Sequence, residues 1–203
     1  MKRTVLLTFF VASICYSQSK TKDGVEITVK KVKLVDNVSV FGIRQLQVTS
    51  NMLKKVMIKT KIKSEPNNKT KLSAFSLVDK KNKIRYRLGD YKGYTGIVGF
   101  PELIPFRKTK PEDDDNPISY GPPYDETEKD YFNDYNIVGY KNFETPVNLG
   151  TKRNPKLSIL YFGETSYEKF TAELFFTLMV QNIRLEYELY YKDERIADIK
   201  FLK

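Results

Sequence analysis

The chain has 203 residues, with 35 Lys or Arg against 25 Asp or Glu and a formal net charge of +10. It contains no histidine, no tryptophan and a single cysteine, Cys15. This composition excludes Ser-His-Asp and Cys-His catalysis, zinc sites built from His and Cys, haem ligation by His, and an internal disulfide. Any catalysis would depend on carboxylate, Lys, Tyr or Ser side chains.

The first 17 residues have the three-part pattern of a secretory signal peptide. A basic start precedes an apolar run at 5–14, and the small residues Cys15 and Ser17 occupy positions −3 and −1 of a cleavage site before Gln18. The apolar run of about ten residues is too short to span a bilayer. We therefore expect a signal peptide at 1–17 and an exported protein, periplasmic or extracellular.

Other interpretations of this start remain open. Cleavage after Ser19 would leave Lys20 as the first residue, since Ser17 and Ser19 are also small. Residues 12–14 resemble a lipobox ahead of Cys15, so lipidation of Cys15 would anchor the protein to the outer membrane instead. The apolar run could also be a first strand of the fold.

Charge is unevenly distributed along the chain. Residues 20–110 carry 22 Lys or Arg against 7 Asp or Glu, a net of +15, whereas residues 111–146 carry 2 against 10, a net of −8. Most lysines of the basic half alternate with apolar residues, as in 56–63, which is typical of the solvated face of a sheet. Nucleic-acid binding is not expected, because basic residues interleaved with exposed aromatics are missing from the pattern. A surface that binds an anionic partner is the alternative.

Alternation of apolar and polar residues predicts strands along both halves of the chain. In chain order the predicted strands are 25–34, 43–49, 53–63, 72–78, 84–88, 157–162, 170–179, 183–191 and 195–201. Residues 79–82 are polar and predict a hairpin turn between two of them. Residues 168–179 also fit a helix, but their Thr and Phe content favours a strand.

A segment of different character, 101–155, separates the two halves and is rich in Pro, Asp, Asn and Tyr. A short helix is predicted within it at 125–133. Tyrosine is a common interface anchor, and the tyrosines that could contact a partner are Tyr120, Tyr124, Tyr131 and Tyr135. The alternative is that these rings cover one edge of the fold. The acidic part is expected to lie against the basic half, since opposite charges attract.

The carboxylates of this segment suggest two kinds of chemistry. Calcium prefers hard oxygen ligands, which makes Asp113, Asp115 and Asp125 candidate ligands, although the spacing does not fit an EF-hand loop. A pair of carboxylates could also hydrolyse a glycosidic bond, and the candidates are Glu112, Asp113, Asp125 and Glu126. Neither pattern is specific, so we expect no cofactor and no catalysis.

The residues 25–34, 56–62, the hairpin 75–86 and the closing strands through 185–191 together resemble a family of exported immunoglobulin-like β-sandwich domains. This family includes the mycobacterial immunoprotective extracellular antigen and its bacterial relatives. The resemblance covers 20–100 and 155–203, and the intervening segment departs from the family pattern. It implies an all-β, immunoglobulin-like antiparallel β-sandwich and an exported location, but no common activity and no site residues.

The sequence therefore predicts a single domain, 18–203, interrupted by the acidic, Tyr-rich insertion at about 101–155. The expected function is that of a non-catalytic binding or structural module of the cell envelope, whose partner is another envelope protein or a glycan. Contact with a membrane is expected only if Cys15 is lipidated.

Overall fold

A computed structural model describes residues 18–35, 39–40, 44–45, 52–94, 105–108, 122–149, 153–165, 167–183 and 186–201. The predicted signal peptide with Cys15, most of the predicted strand 43–49, and the acidic run around Asp113 and Asp115 lie outside these residues. The described residues fold predominantly into β-strands, which confirms the all-β prediction.

Seventeen strands lie within the described residues. The first eight are Gln18–Lys20 (β1), Glu26–Val35 (β2), Ser39–Val40 (β3), Arg44–Gln45 (β4), Leu53–Lys63 (β5), Thr70–Lys71 (β6), Phe75–Asp79 (β7) and Ile84–Tyr94 (β8). The others are Phe106–Arg107 (β9), Lys141–Phe143 (β10), Val147–Asn148 (β11), Leu157–Ser158 (β12), Leu160–Tyr161 (β13), Glu164–Thr165 (β14), Lys169–Met179 (β15), Tyr187–Tyr191 (β16) and Glu194–Ile199 (β17). Three 3₁₀ turns also occur there, at Leu72–Ala74, Tyr131–Asp134 and Val180–Asn182.

Eight of these strands form one sheet in the order β1-β2-β5-β15-β8-β7-β16-β17, and every pairing along this path is antiparallel. The sheet curls until β17 lies beside β1, so it is nearly closed. Side chains link the two ends: the backbone N–H of Lys22 donates to the Glu194 carboxylate, and Lys192 pairs with Asp23. A ninth strand, β10, pairs in parallel with the start of β8, on the edge opposite β7.

The inside of the curled sheet is filled with apolar side chains. Alternate residues of β5 and β15 point inward and are fully buried, among them Val56, Ile58, Leu174 and Phe176. Each fully buried side chain of this size contributes about 1.5–3 kcal/mol relative to an exposed one. These apolar side chains occupy the interior of the curled sheet.

A β-bulge at Lys30 explains an irregularity in the first strand. Ile27 and Val29 point inward, but the next apolar residues, Val32 and Leu34, have the opposite parity in the sequence. In the structure Val29 lies opposite Thr60 and Lys31 opposite Lys59, so Lys30 is the extra residue. The bulge moves Val32 and Leu34 back to the inner side and leaves the lysines outside.

The sequence predicted the long strands well. Strand 53–63 and the hairpin at 79–82 are confirmed, and 170–179 is a strand and not a helix. Two predicted strands begin too early: Leu72–Ala74 is a 3₁₀ turn that precedes β7, and β16 begins at Tyr187 and not at 183. The predicted helix 125–133 was also wrong, since the only helical element there is a 3₁₀ turn at Tyr131–Asp134. The backbone carbonyl of Asn182 accepts a hydrogen bond from the Tyr187 hydroxyl at 2.6 Å, which links the 3₁₀ turn at Val180–Asn182 to the start of β16.

Candidate functional site

The outer surface of β2, β5 and β15 carries a group of lysines that we call the lysine face: Lys31, Lys33, Lys59, Lys61, Lys63 and Lys169. Strand alternation places all of them outward, since core residues such as Ile58, Ile62 and Phe170 point inward on the same sheet. The pairing register brings some directly opposite one another. Lys31 faces Lys59 across β2 and β5, and Lys63 faces Lys169 across β5 and β15.

Two glutamates lie among these lysines. Glu173 pairs with Lys59 at 3.4 Å, and Glu26 pairs with Lys63 at 3.4 Å. Six lysines against two glutamates leave a local net charge of +4. Lys61 and Lys169 are exposed and have no ion-pair partner among the described residues. The face therefore carries positive charge that the rest of the described chain does not neutralise.

The Tyr-rich segment covers a different part of the outer surface, over β7 and the start of β8. Arg87, which points outward from β8, donates two hydrogen bonds to the Asp130 carboxylate, each at 2.8 Å, and two to Glu144 Oε1, at 3.1 and 2.8 Å. Lys108 pairs with both carboxylates, at 2.9 and 3.4 Å. Acidic residues of the insertion thus dock on basic residues of the first half, as the charge distribution predicted.

Burial makes the loss of one partner of this ion-pair network more costly than the loss of one partner of a surface pair. The Arg87 side chain is 3% exposed and that of Asp130 is 14% exposed. Burial raises the pKa of the Asp130 carboxyl, but hydrogen bonds and charge from Arg87 and Lys108 outweigh burial and hold it below its usual value. Asp130 is therefore ionised in the folded protein and holds the segment in place.

Arg85 and Phe132 form the second contact of the docked segment. Arg85 is fully buried, donates to the Phe132 carbonyl at 3.0 Å and to Ser76 Oγ at 3.2 Å. Its guanidinium lies 3.9 Å from the centroid of the Phe132 ring, and that of Arg87 lies 4.3 Å from the same centroid. Burial, and then the charge of Arg87, lower the pKa of Arg85 to about 10. Phe132 is thus held by two cations, a stabilising arrangement for a buried ring.

The tyrosines that were predicted to contact a partner differ in their burial and contacts. Tyr131 is half-buried, and its hydroxyl donates to Glu164 at 2.8 Å. Burial, and then this hydrogen bond, raise the pKa of Tyr131. Tyr135 packs against the core cluster, Tyr124 is half-buried, and Tyr120 lies outside the described residues. Tyr131 and Tyr135 therefore cover one side of the sheet, and partner contact through the tyrosines stays a prediction.

Of the predicted calcium and hydrolase residues, only Asp125 and Glu126 lie within the described residues. Asp125 accepts hydrogen bonds from the backbone N–H and the hydroxyl of Thr127, at 2.9 and 2.7 Å, within its own turn. In the part of the chain that the structure describes, no group of three or more acidic side chains is arranged to hold a metal ion. Burial, and then the charges of Asp125 and Glu164, raise the pKa of Glu128. Calcium binding at Asp113 and Asp115, and the hydrolase alternative, remain predictions.

Lys55 is a residue that the sequence analysis did not single out. It points outward from β5, opposite Val35 and Thr177, yet it is only 2% exposed, and its Nζ makes no hydrogen bond among the described residues. Burial lowers the pKa of Lys55 to about 8, and the charge of Asp90 opposes that shift. Met57 and Phe175, also outward, are buried in the next row of the sheet. Lys54 and Lys55 are adjacent lysines, so the sequence alone could not predict that Lys55 is buried while Lys54 is exposed.

Comparison with known proteins identifies no relative. No protein-family model, curated protein or solved structure matches the chain. The part of the chain that the structure describes also contains no helix that is long and apolar enough to cross a membrane.

Proposed function

We propose that the chain is exported and acts as a non-catalytic binding module that holds an anionic partner on the lysine face. The observation that carries this proposal is the excess of lysine on this face. Lys31 lies opposite Lys59 and Lys63 opposite Lys169, and among the described residues only Lys59 and Lys63 of these four pair with a glutamate. Like charges directly opposite each other destabilise a sheet. A bound anionic partner would remove that repulsion, so binding and stability are coupled at this face.

The rest of the outer surface supports a binding role rather than a catalytic one. Asp130 and Glu144 are engaged in ion pairs with Arg87 and Lys108, which fix the position of the segment. The interior is filled by apolar side chains. The lysine face is broad, lies on regular strands and consists of long flexible cations, which suits an extended anionic partner such as an acidic envelope protein or an acidic glycan.

Replacing Lys61, Lys63 and Lys169 together by Ser is expected to weaken binding of a soluble polyanion. Poly-glutamate and polygalacturonate are suitable probes, and the affinity should fall about tenfold or more, since each exposed ion pair contributes up to about 1 kcal/mol. Affinity for the unchanged protein should also fall steeply with added salt.

The matched control for this experiment replaces three exposed lysines elsewhere, Lys81, Lys141 and Lys156, by Ser. This control changes the net charge by the same amount. Equal loss of affinity in both variants would show that only total charge matters and would contradict a specific lysine face. Isothermal titration calorimetry at two salt concentrations makes the measurement.

Export is tested by the mass of the mature N-terminus. Cleavage before Gln18 gives a soluble protein whose first residue is also the first residue of β1. Cleavage before Lys20 would remove two of its three residues, and diacylated Cys15 would indicate a membrane-tethered protein. Recovery of an intact Met1 from the envelope fraction would contradict the export proposal.

We also propose a relationship to the exported immunoglobulin-like sandwich domains. The hydrogen bond from the Tyr187 hydroxyl to the carbonyl of Asn182, five residues upstream, supports it. Immunoglobulin-type domains have a comparable tyrosine that bonds to the backbone a few residues upstream. The antiparallel pairing of the eight strands from β1 to β17 is compatible with that class.

A further inference from the structure

The two edges of β2 are used differently. One edge pairs with β5 along the whole strand, from Glu26 to Val35. The other edge pairs with β1 only at Glu26, Ile27 and Thr28. From Lys31 to Val35, no strand among the described residues is hydrogen-bonded to this second edge, and β17 is not bonded to β2 either. We call Lys31–Val35, on the side away from β5, the β2 edge.

Apolar side chains of the β2 edge are incompletely covered. Leu34 lies opposite Val56, which is fully buried, and the two share the inner side of the sheet. Leu34 nevertheless remains 44% exposed. Val32, also inward, is partly buried. The core therefore does not fully cover Val32 and Leu34 at this edge. The apolar residues of an added strand would cover them.

The outward residues of the same stretch limit what can bind there. Lys31 and Lys33 are both exposed. If two copies of β2 paired in antiparallel orientation about Val32, Lys31 would face Lys33 of the other copy, and about Lys33 the two Lys33 residues would meet. Like charges opposite each other are unfavourable, and edge lysines are a known protection against self-association. A second copy of this chain is therefore a poor occupant.

A strand that alternates acidic and apolar residues fits both sides of the β2 edge. Its acidic residues would lie opposite Lys31 and Lys33, and its apolar residues opposite Val32 and Leu34, because residues opposite each other in a sheet share a face. Backbone hydrogen bonds would supply affinity, as in other complexes formed by addition of a strand.

We propose that the β2 edge binds an extended segment of an acidic protein partner as an added β-strand. This inference rests on the proposed function, and it names the partner class as a polypeptide. The lysine face continues from Lys31 and Lys33 across β2 onto β5, where Lys59 and Lys61 extend the positive charge beside the bound strand. A carbohydrate could contact the lysine face but could not reproduce the backbone pairing.

The test uses two peptides and the full chain. The first is an acetylated, amidated eight-residue peptide of alternating Glu and Val; the second has the same side chains but is N-methylated at every residue, so it has no N–H donors in its backbone. The first should bind at least about tenfold more tightly, since strand addition depends on backbone hydrogen bonds. Equal affinities would overturn the inference while leaving polyanion binding, and with it the proposed function, intact.

A protein variant gives an independent readout. Leu34→Ser should weaken binding of the alternating peptide about threefold to tenfold without changing the affinity for polygalacturonate. The control Leu157→Ser changes an exposed leucine, 59% exposed, on a different strand and should have no effect on either ligand. If Leu34→Ser reduced the affinity for both ligands equally, or for neither, the β2 edge would not be the binding site. Loss of all polyanion binding in the unchanged protein would instead contradict the proposed function itself.

Discussion

Replacing Arg87 by Met is expected to destabilise the protein by about 3–5 kcal/mol, because it removes one partner of a buried ion pair. The side chain is 3% exposed and makes four hydrogen bonds to carboxylates of the docked segment. Its loss leaves Lys108 as the remaining cation beside Asp130 and Glu144. For a domain of this size the melting temperature should fall by about 10 °C, which thermal unfolding followed by circular dichroism would measure.

The matched control is Lys129→Met, on the same segment. Lys129 pairs with Asp134 at 3.0 Å, but the two side chains are 59% and 34% exposed. An exposed pair of this kind contributes about 1 kcal/mol or less. Arg87→Met should also speed proteolytic cutting within 122–149, whereas Lys129→Met should not. Similar melting temperatures for the two variants would show that the network does not hold the segment.

The strands could be predicted from the sequence because one face of the sheet is buried and apolar and the other is exposed to solvent and polar. Ile58 and Ile62 alternate with Lys59 and Lys61, and this alternation fixes both the strand and its inward side. The hairpin at 79–82 is also local, since Asp79 accepts hydrogen bonds from Asn82 in the turn that follows. Features fixed by neighbours in sequence could thus be predicted.

The docking residues could not be predicted individually because their partners are far apart in the chain. Arg87 and Asp130 are 43 residues apart, and Arg87 and Glu144 are 57 apart. The charge asymmetry predicted that the segment docks, but many lysines and arginines of 20–110 were equivalent candidates. Arg85 and Arg87 flank Tyr86, an inward residue, so only their outward direction was visible in the pattern.

The lysine face was visible as a pattern, but its cross-strand register was not. Lys59 faces Lys31 on β2 and Glu173 on β15. Which residues lie opposite it depends on how these strands are aligned with β5, and the bulge at Lys30 shifts the alignment of β2 by one residue. Strand register is set by the packing of the inner side, to which the lysines do not contribute. The repulsive pairs are therefore a consequence of core packing and could be seen only in the folded chain.

Replacing Lys55 by Met is expected to stabilise the protein by about 3 kcal/mol at pH 7. The ammonium group is buried with no hydrogen-bond partner among the described residues, and burial lowers its pKa from 10.5 to about 8. A shift of one pKa unit corresponds to about 1.4 kcal/mol between the protonation states. Methionine keeps a similar length and shape without the charge, and it suits the neighbouring Met57 and Phe175.

The pH dependence of this effect separates it from simple repacking. Between pH 8 and 10.5 the unfolded chain keeps a proton on Lys55 that the folded protein has lost, so the stability of the unchanged protein rises with pH over this range. The advantage of Lys55→Met should therefore be constant below pH 8 and shrink toward zero by about pH 10.5. Chemical denaturation at pH 7, 9 and 10.5 would measure it, with the exposed Lys61→Met as control, which should show little change at any pH. If Lys55→Met remained more stable than the unchanged protein at pH 10.5, the increase in stability would come from packing. If it were no more stable at pH 7, burial of the Lys55 ammonium would not destabilise the folded protein.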